Sequence, residues 1–263
     1  MGFFDFFKSN SNDNKSLTPF TEYWSNGNIR SKGHRKGDNL EGLVIDYLKN
    51  GNKLLEINYN EGLWDGLCKE YSIENHGKLV KEGLYEKGVK IQETSYEYYE
   101  NGNVKEIITT KDDDVLHGPY KLFYENGELK EEGVFENGGI RRSTKVYHEN
   151  GELKEEGILE NNERIGQWRF YYYSGELENE MNFNKNKLNE FSKSYYENGN
   201  IKSEGHFSSG LYNGLWKEYH ENGNLMYEGE YKNGESQGVF KYYYENGQLK
   251  EEKTYKDGKE IKN

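Results

Sequence analysis

The chain has 263 residues, a net charge of −12 and only 32% hydrophobic residues, with 24 Tyr, 12 Phe and 4 Trp among them. The charge argues against binding duplex nucleic acid, which needs phosphate neutralisation by Lys and Arg, and the lone Cys68 rules out an intramolecular disulfide. No run reaches transmembrane length, and aromatic side chains with polar tips suit a thin sheet wetted on both faces better than a thick aliphatic core.

Residues 1–16 stand apart from the rest of the chain. Phe3, Phe4, Phe6 and Phe7 form an aromatic patch, and residues 9–16 are a polar linker of low complexity. The patch reads as a cap over the open edge of the first repeat, which is favoured, or as a docking peptide or weak membrane-surface anchor. The stretch lacks a basic n-region and is interrupted by Asp5, so it does not read as a secretory signal, and the expected location is cytoplasmic.

From residue 17 to 263 the chain repeats itself. Turn glycines recur at Gly27, Gly51, Gly77, Gly102, Gly127, Gly151, Gly175, Gly199, Gly223 and Gly247, giving ten repeats of about 24 residues. Residues 214–231 show the unit most clearly: Trp216–Glu221 and Asn224–Tyr231 read as two strands around Asn222-Gly223. Asn-Gly predicts a type I′ turn with positive φ at both residues. That turn would place Trp216 opposite Gly229 and Tyr219 opposite Met226, with the aromatic covering its own hairpin's glycine. Phe20 and Gly33 would repeat the device, whereas Trp168 would face Met181. Second turns such as Lys232-Asn233-Gly234 and Lys256-Asp257-Gly258 join neighbouring hairpins. About 20 strands stacked at roughly 4.8 Å would span on the order of 95 Å.

Gly214–Tyr231 resembles the repeat of the MORN variant family in the form carried by bacterial YwqK-type antitoxin proteins, with the pattern Gly-x-Trp-x-x-Tyr and then Asn-Gly-x-Leu-x-x-Glu-Gly-x-Tyr. Residues 120–135, 168–183 and 240–255 follow it less completely. The tryptophan slot departs at Val44, Cys68, Ser95, Thr144 and Ser192, and the last aromatic slot departs at Arg35 and Thr110. The resemblance covers about residues 20–258. It implies an all-β fold, an elongated single-layer antiparallel β-sheet of about ten tandem MORN-like hairpin repeats. It also implies a non-enzymatic protein-binding role, as an antitoxin or immunity protein that neutralises a toxin, or as a structural scaffold or membrane-associated adaptor.

No chemistry stands out in the residues themselves. His34, His76, His117, His148, His206 and His220 occupy different slots without ligand spacing, and Asp112, Asp113 and Asp114 lack the alternation of a calcium loop, so no catalytic, cofactor or metal site is expected. Glutamate recurs five residues after eight turn glycines, from Glu56 to Glu252. A copied carboxylate reads as sheet structure, pairing Lys or accepting a Tyr hydroxyl across strands. Cys68, in the tryptophan slot, reads as a small buried residue. Specificity should lie where repeats differ: the arginine turn at Arg141 and Arg142, and the aromatic run Trp168, Tyr171, Tyr172 and Tyr173, in which packing between repeats is favoured for Trp168 and Tyr171 and Tyr172 is the better candidate for contact. The acidic surface reads first as a source of solubility that guards exposed strand edges, and otherwise favours a basic protein partner.

Overall fold

A computed structural model describes residues 16–74, 77–111 and 114–262, so Phe3, Phe4, Phe6, Phe7, His76, Asp112 and Asp113 lie outside the described residues. The contacts divide the chain into two compact units, residues 1–95 and 96–263.

The first unit carries Leu17–Tyr23, Ile29–Lys36, Asn39–Tyr47, Lys53–Asn60, Leu63–Trp64, Gly66–Tyr71, Leu79–Glu86 and Val89–Tyr98. Each long strand pairs antiparallel with the next, as in Val44 opposite Ile57 and Cys68 opposite Gly83. The second unit runs in the same way from Val104–Lys111 to Lys259–Ile261, again by hairpin-linked antiparallel neighbours. Each unit is therefore an all-β run of hairpins built on the antiparallel pairing of successive long strands.

The Asn-Gly turns are not the type I′ turns expected from sequence. At Asn222-Gly223 only the glycine has positive φ, +86°. Gly223 N–H donates to the His220 carbonyl at 2.8 Å, and His220 N–H donates to the Asn224 carbonyl at 2.8 Å. This is a three-residue loop, a type I turn closed by a left-handed glycine. The extra loop residue is offset by a bulge between Glu218 and Tyr219, so Tyr219 faces Leu225 instead of Met226 while Trp216 still faces Gly229. The type I′ geometry sits at the connections between repeats: Asn233 and Gly234 have φ of 52° and 86°, and Asn161 and Asn162 have 52° and 62°. There the strands close over two residues, Lys232 opposite Glu235 and Glu160 opposite Glu163.

Most of the buried side chains occupy the tryptophan slot, namely Val44, Cys68, Tyr120, Thr144, Trp168, Ser192, Trp216 and Phe240, while Ser31, Ile57, Thr109 and Phe135 are buried outside it. Burial also pushes the Cys68 thiol above its ordinary pKa, as expected of a packed thiol. Tyr120 approaches its own hairpin's Gly133, where an added methyl would lie 2.8 Å from Cε1, but Trp168, Trp216 and Phe240 do not cover their own hairpin's partner. A methyl added at Gly157 would lie 2.3 Å from Trp168 Cδ2, at Gly205 2.3 Å from Trp216 Cε3, and at Gly229 2.3 Å from Phe240 Cδ1. Each ring thus lies back over the glycine of the preceding hairpin. Trp168 covers the pair Thr144–Gly157, and Trp216 covers Ser192–Gly205. Thr144 and Ser192, two of the small residues that break the motif, are therefore paired with the glycines on which the next repeat's indole sits, and the Trp168 indole N–H reaches back to the Ile158 carbonyl at 3.2 Å. Trp168 stands opposite Met181 and packs between repeats, both as the sequence suggested.

Candidate docking face

Strand alternation gives the second unit an aromatic face and, on its reverse, a charged one. On the charged face the cross-strand register runs Lys121, Glu132, Lys145, Glu156, Arg169, Glu180, Lys193, Glu204, Lys217, Glu228, Lys241, Glu252, each directly opposite the next. The signs alternate across twelve strands. Ion pairs close along it, with Lys121–Glu132 at 3.4 Å, Arg169–Glu156 at 3.6 Å, Arg169–Glu180 at 3.3 Å and Lys193–Glu204 at 3.3 Å.

Beside this ladder stands a row of tyrosines whose hydroxyls donate to the same carboxylates: Tyr147 to Glu132 at 2.8 Å, Tyr171 to Glu156 at 2.9 Å, Tyr195 to Glu180 at 2.9 Å, Tyr219 to Glu204 at 2.8 Å and Tyr243 to Glu228 at 3.3 Å. Burial, with the glutamate hydrogen bond adding to it, pushes Tyr147, Tyr171, Tyr195 and Tyr219 up to about 12. The Tyr147 hydroxyl holds the Glu132 carboxyl below the usual carboxylate range. The repeated glutamates are thus tied into the sheet, as their copying suggested.

The turn edge is stapled as well. Asn222 accepts from Asn224 N–H at 3.0 Å and donates to the Glu245 carbonyl one repeat on at 2.9 Å. Asn26, Asn101, Asn150 and Asn198 reach the following turn in the same way. One residue before each of these loops, a polar ring bonds the next repeat's backbone: Tyr124 to Tyr147 O at 2.9 Å, Tyr172 to Tyr195 O at 2.7 Å and Tyr196 to Tyr219 O at 2.8 Å.

What remains open on the charged face is a channel of about 520 Å³ between two rows of side chains. Pro119, Val134, Ser143, Ile158 and Gln167 form one wall, Lys121, Glu132, Lys145, Glu156 and Arg169 the other, and the backbone at Tyr120, Gly133, Thr144 and Gly157 the floor. The first wall is low because its slot holds Pro119, Ser143 and Gln167 here, against Phe191, Leu215 and Val239 in the next three repeats. At Phe191 the ring sits 5.7 Å from Lys193 Nζ, bridging the two rows. The volume lies within the range of specific ligand sites, roughly 300–1,000 Å³.

The residues singled out from sequence do not form one surface. Trp168 is 1% exposed on the aromatic face, with the Arg164 guanidinium 4.7 Å from its ring. Arg142 lies over Tyr120 and Phe135, each at 5.9 Å, with Glu131 at 4.0 Å. Arg141 sits 3.9 Å from Glu136. Tyr171 belongs to the ladder and Tyr172 to the turn-edge staple, so Tyr172 is no isolated aromatic: its slot holds an aromatic or histidine ring in eight of the ten repeats. Tyr173, 61% exposed where most repeats place Glu, is the one member turned to solvent. The channel was missed. Its sequence signal is the slot eight residues before each turn glycine, where a row of bulky residues gives way to Pro119, Ser143 and Gln167.

Residues 94–112, 116–137, 143–161, 164–185, 192–208, 212–233 and 236–257 match the MORN repeat variant, together more than half of the sequence. The chain belongs to the MORN repeat variant family. The first unit carries MORN-like hairpins too, from Leu17 onward, although the family match begins at residue 94. No curated protein matches this MORN repeat chain. Among solved structures, it is similar to the crystal structure of TcdB2-TccC3-Cdc42, at 14% identity over 91% of this chain and 14% of that one, with a TM-score of 0.33. It is also similar to TcdB2-TccC3 without its hypervariable C-terminal region, at 12% identity over 92% and 13%, with a TM-score of 0.32. A protein of unknown function from Bacteroides fragilis aligns at 7% identity over 76% of this chain and 97% of that one, with a TM-score of 0.12. The MORN repeat chain thus spans 14% and 13% of the lengths of the first two.

Proposed function

We propose that this MORN repeat protein is a non-enzymatic, cytoplasmic binding protein that neutralises a protein toxin by covering its active surface. One observation carries the reading: the recurrent Glu, Tyr and Asn side chains are spent on the sheet itself, while the channel over residues 119–169 stays open at the point where the repeats diverge. A binding protein built from copies gains selectivity only from such divergence. The family resemblance to antitoxin proteins supports the choice of a toxin as partner. The experiment is co-expression with the product of each neighbouring gene in a growth assay. Rescue of growth by the wild-type chain supports an immunity role, and failure to rescue against every neighbouring gene product would overturn it in favour of a scaffold.

A further inference from the structure

Resting on that reading, we propose that the channel takes an acidic segment of the partner protein carrying one bulky apolar side chain between its carboxylates. The argument is one of depth and sign. The ladder glutamates lie low: Lys121 is 48% exposed against 31% for Glu132, Lys145 52% against 24% for Glu156, and Arg169 47% against the same 24%. The tyrosine hydroxyls of the neighbouring row hold these carboxylates down at the sheet. The cationic tips therefore stand highest at the rim, although the chain as a whole carries −12. The local sign is opposite to the one that net charge alone suggests, and contact chemistry is set locally because charges beyond about 8 Å are screened at physiological ionic strength.

The facing wall is apolar at Val134, 43% exposed, Pro119 and Ile158, with the polar Ser143 and Gln167 in the same row. An aromatic or branched side chain seated between the walls would lose water against Val134 and Ile158, while its flanking carboxylates meet Lys121, Lys145 and Arg169. Such an apolar anchor ringed by polar contacts is the common form of an interface hot spot. A basic segment would instead bring like charge against the rim, and its route to Glu132 and Glu156 is occupied by the existing ion pairs.

The test uses the full chain and three cyclic synthetic peptides of equal length, centred on Asp-Phe-Asp, Lys-Phe-Lys and Asp-Ser-Asp, titrated by calorimetry. Cyclisation limits the ordering cost on binding. The Asp-Phe-Asp peptide is expected to bind saturably, and each of the others about tenfold more weakly or worse, a difference near 1.4 kcal/mol. Ser143→Trp, which fills the channel from an exposed position, should abolish the binding. Val239→Trp, in the same row beyond the channel, should leave it unchanged. Stronger binding by the Lys-Phe-Lys peptide would overturn the proposed partner chemistry but leave the channel as a docking site. Absence of binding by Asp-Phe-Asp, or equal binding to Ser143→Trp, would overturn the site itself.

Discussion

Gly157→Ala isolates the contact that locks one repeat to the next. The added methyl would sit 2.3 Å from Trp168 Cδ2, 2.4 Å from Cε2 and 2.7 Å from Cγ, all rigid indole atoms of a residue 1% exposed. Gly157 does not have positive φ, so its backbone suits alanine and the whole penalty is steric. Overpacking of this kind costs about 1–3 kcal/mol. The matched control is Gly166→Ala: its φ of +64° carries a backbone penalty of about 1 kcal/mol, yet nothing lies within 4 Å of the new methyl. Trp168→Ala alone should cost about 3–5 kcal/mol. Once the indole is gone, adding Gly157→Ala should cost almost nothing, so the double-mutant cycle yields a coupling of about 1–3 kcal/mol. Urea denaturation followed by far-UV circular dichroism and by indole fluorescence gives these values. Gly157→Ala unfolding at the wild-type midpoint, or a double mutant that is simply additive, would refute the stapling of each aromatic over the preceding glycine.

The ladder and the turns give three more expectations. Tyr195→Phe removes the donor to Glu180 and should cost about 1 kcal/mol in the same melts. Because Tyr147, Tyr171, Tyr195 and Tyr219 titrate near 12 when folded and ordinarily near 10, their contribution is complete below about pH 10 and is lost as pH rises toward 12; a melting temperature flat through that window would contradict the ladder. Asn222→Gly should destabilise by about 1–2 kcal/mol through loss of two hydrogen bonds, whereas a type I′ turn would tolerate the change, so an unaltered melt would count against the three-residue loop. Gly199→Val places a β-branched residue at φ +83° and should cost on the order of 1–3 kcal/mol, with unchanged thermal unfolding as the contrary result.

The repeat, its strands and the register of Trp216 on Gly229 are legible in sequence because a period of about 24 with aromatic and glycine slots admits one pairing. The turn types are not, since a three-residue loop plus a bulge returns the strands to the same register as a two-residue loop. The φ of Asn222, the local shift of Tyr219 onto Leu225 and the hydrogen bonds of Gly223 distinguish them, and the asparagine serves through its side-chain bonds instead of its tolerance of positive φ. The pairing of Glu with Tyr and Lys could be read from the copying of the glutamate. The channel could not, because it depends on which residues of a copied row are short, and the eye is drawn to the dense aromatic run at Tyr171–Tyr173 instead. Two of those tyrosines prove to hold repeats together.

Growth rescue by channel variants, against a toxin whose effect co-expression of the wild-type chain relieves in the proposed assay, tests the proposed docking site most directly. The substitution Ser143→Trp fills the channel from a position that is exposed in the sheet, and Val239→Trp adds the same bulk outside it. With both variants folded as judged by thermal melts, the channel predicts loss of rescue for Ser143→Trp and full rescue for Val239→Trp. Full rescue by Ser143→Trp would place the docking surface elsewhere on the protein.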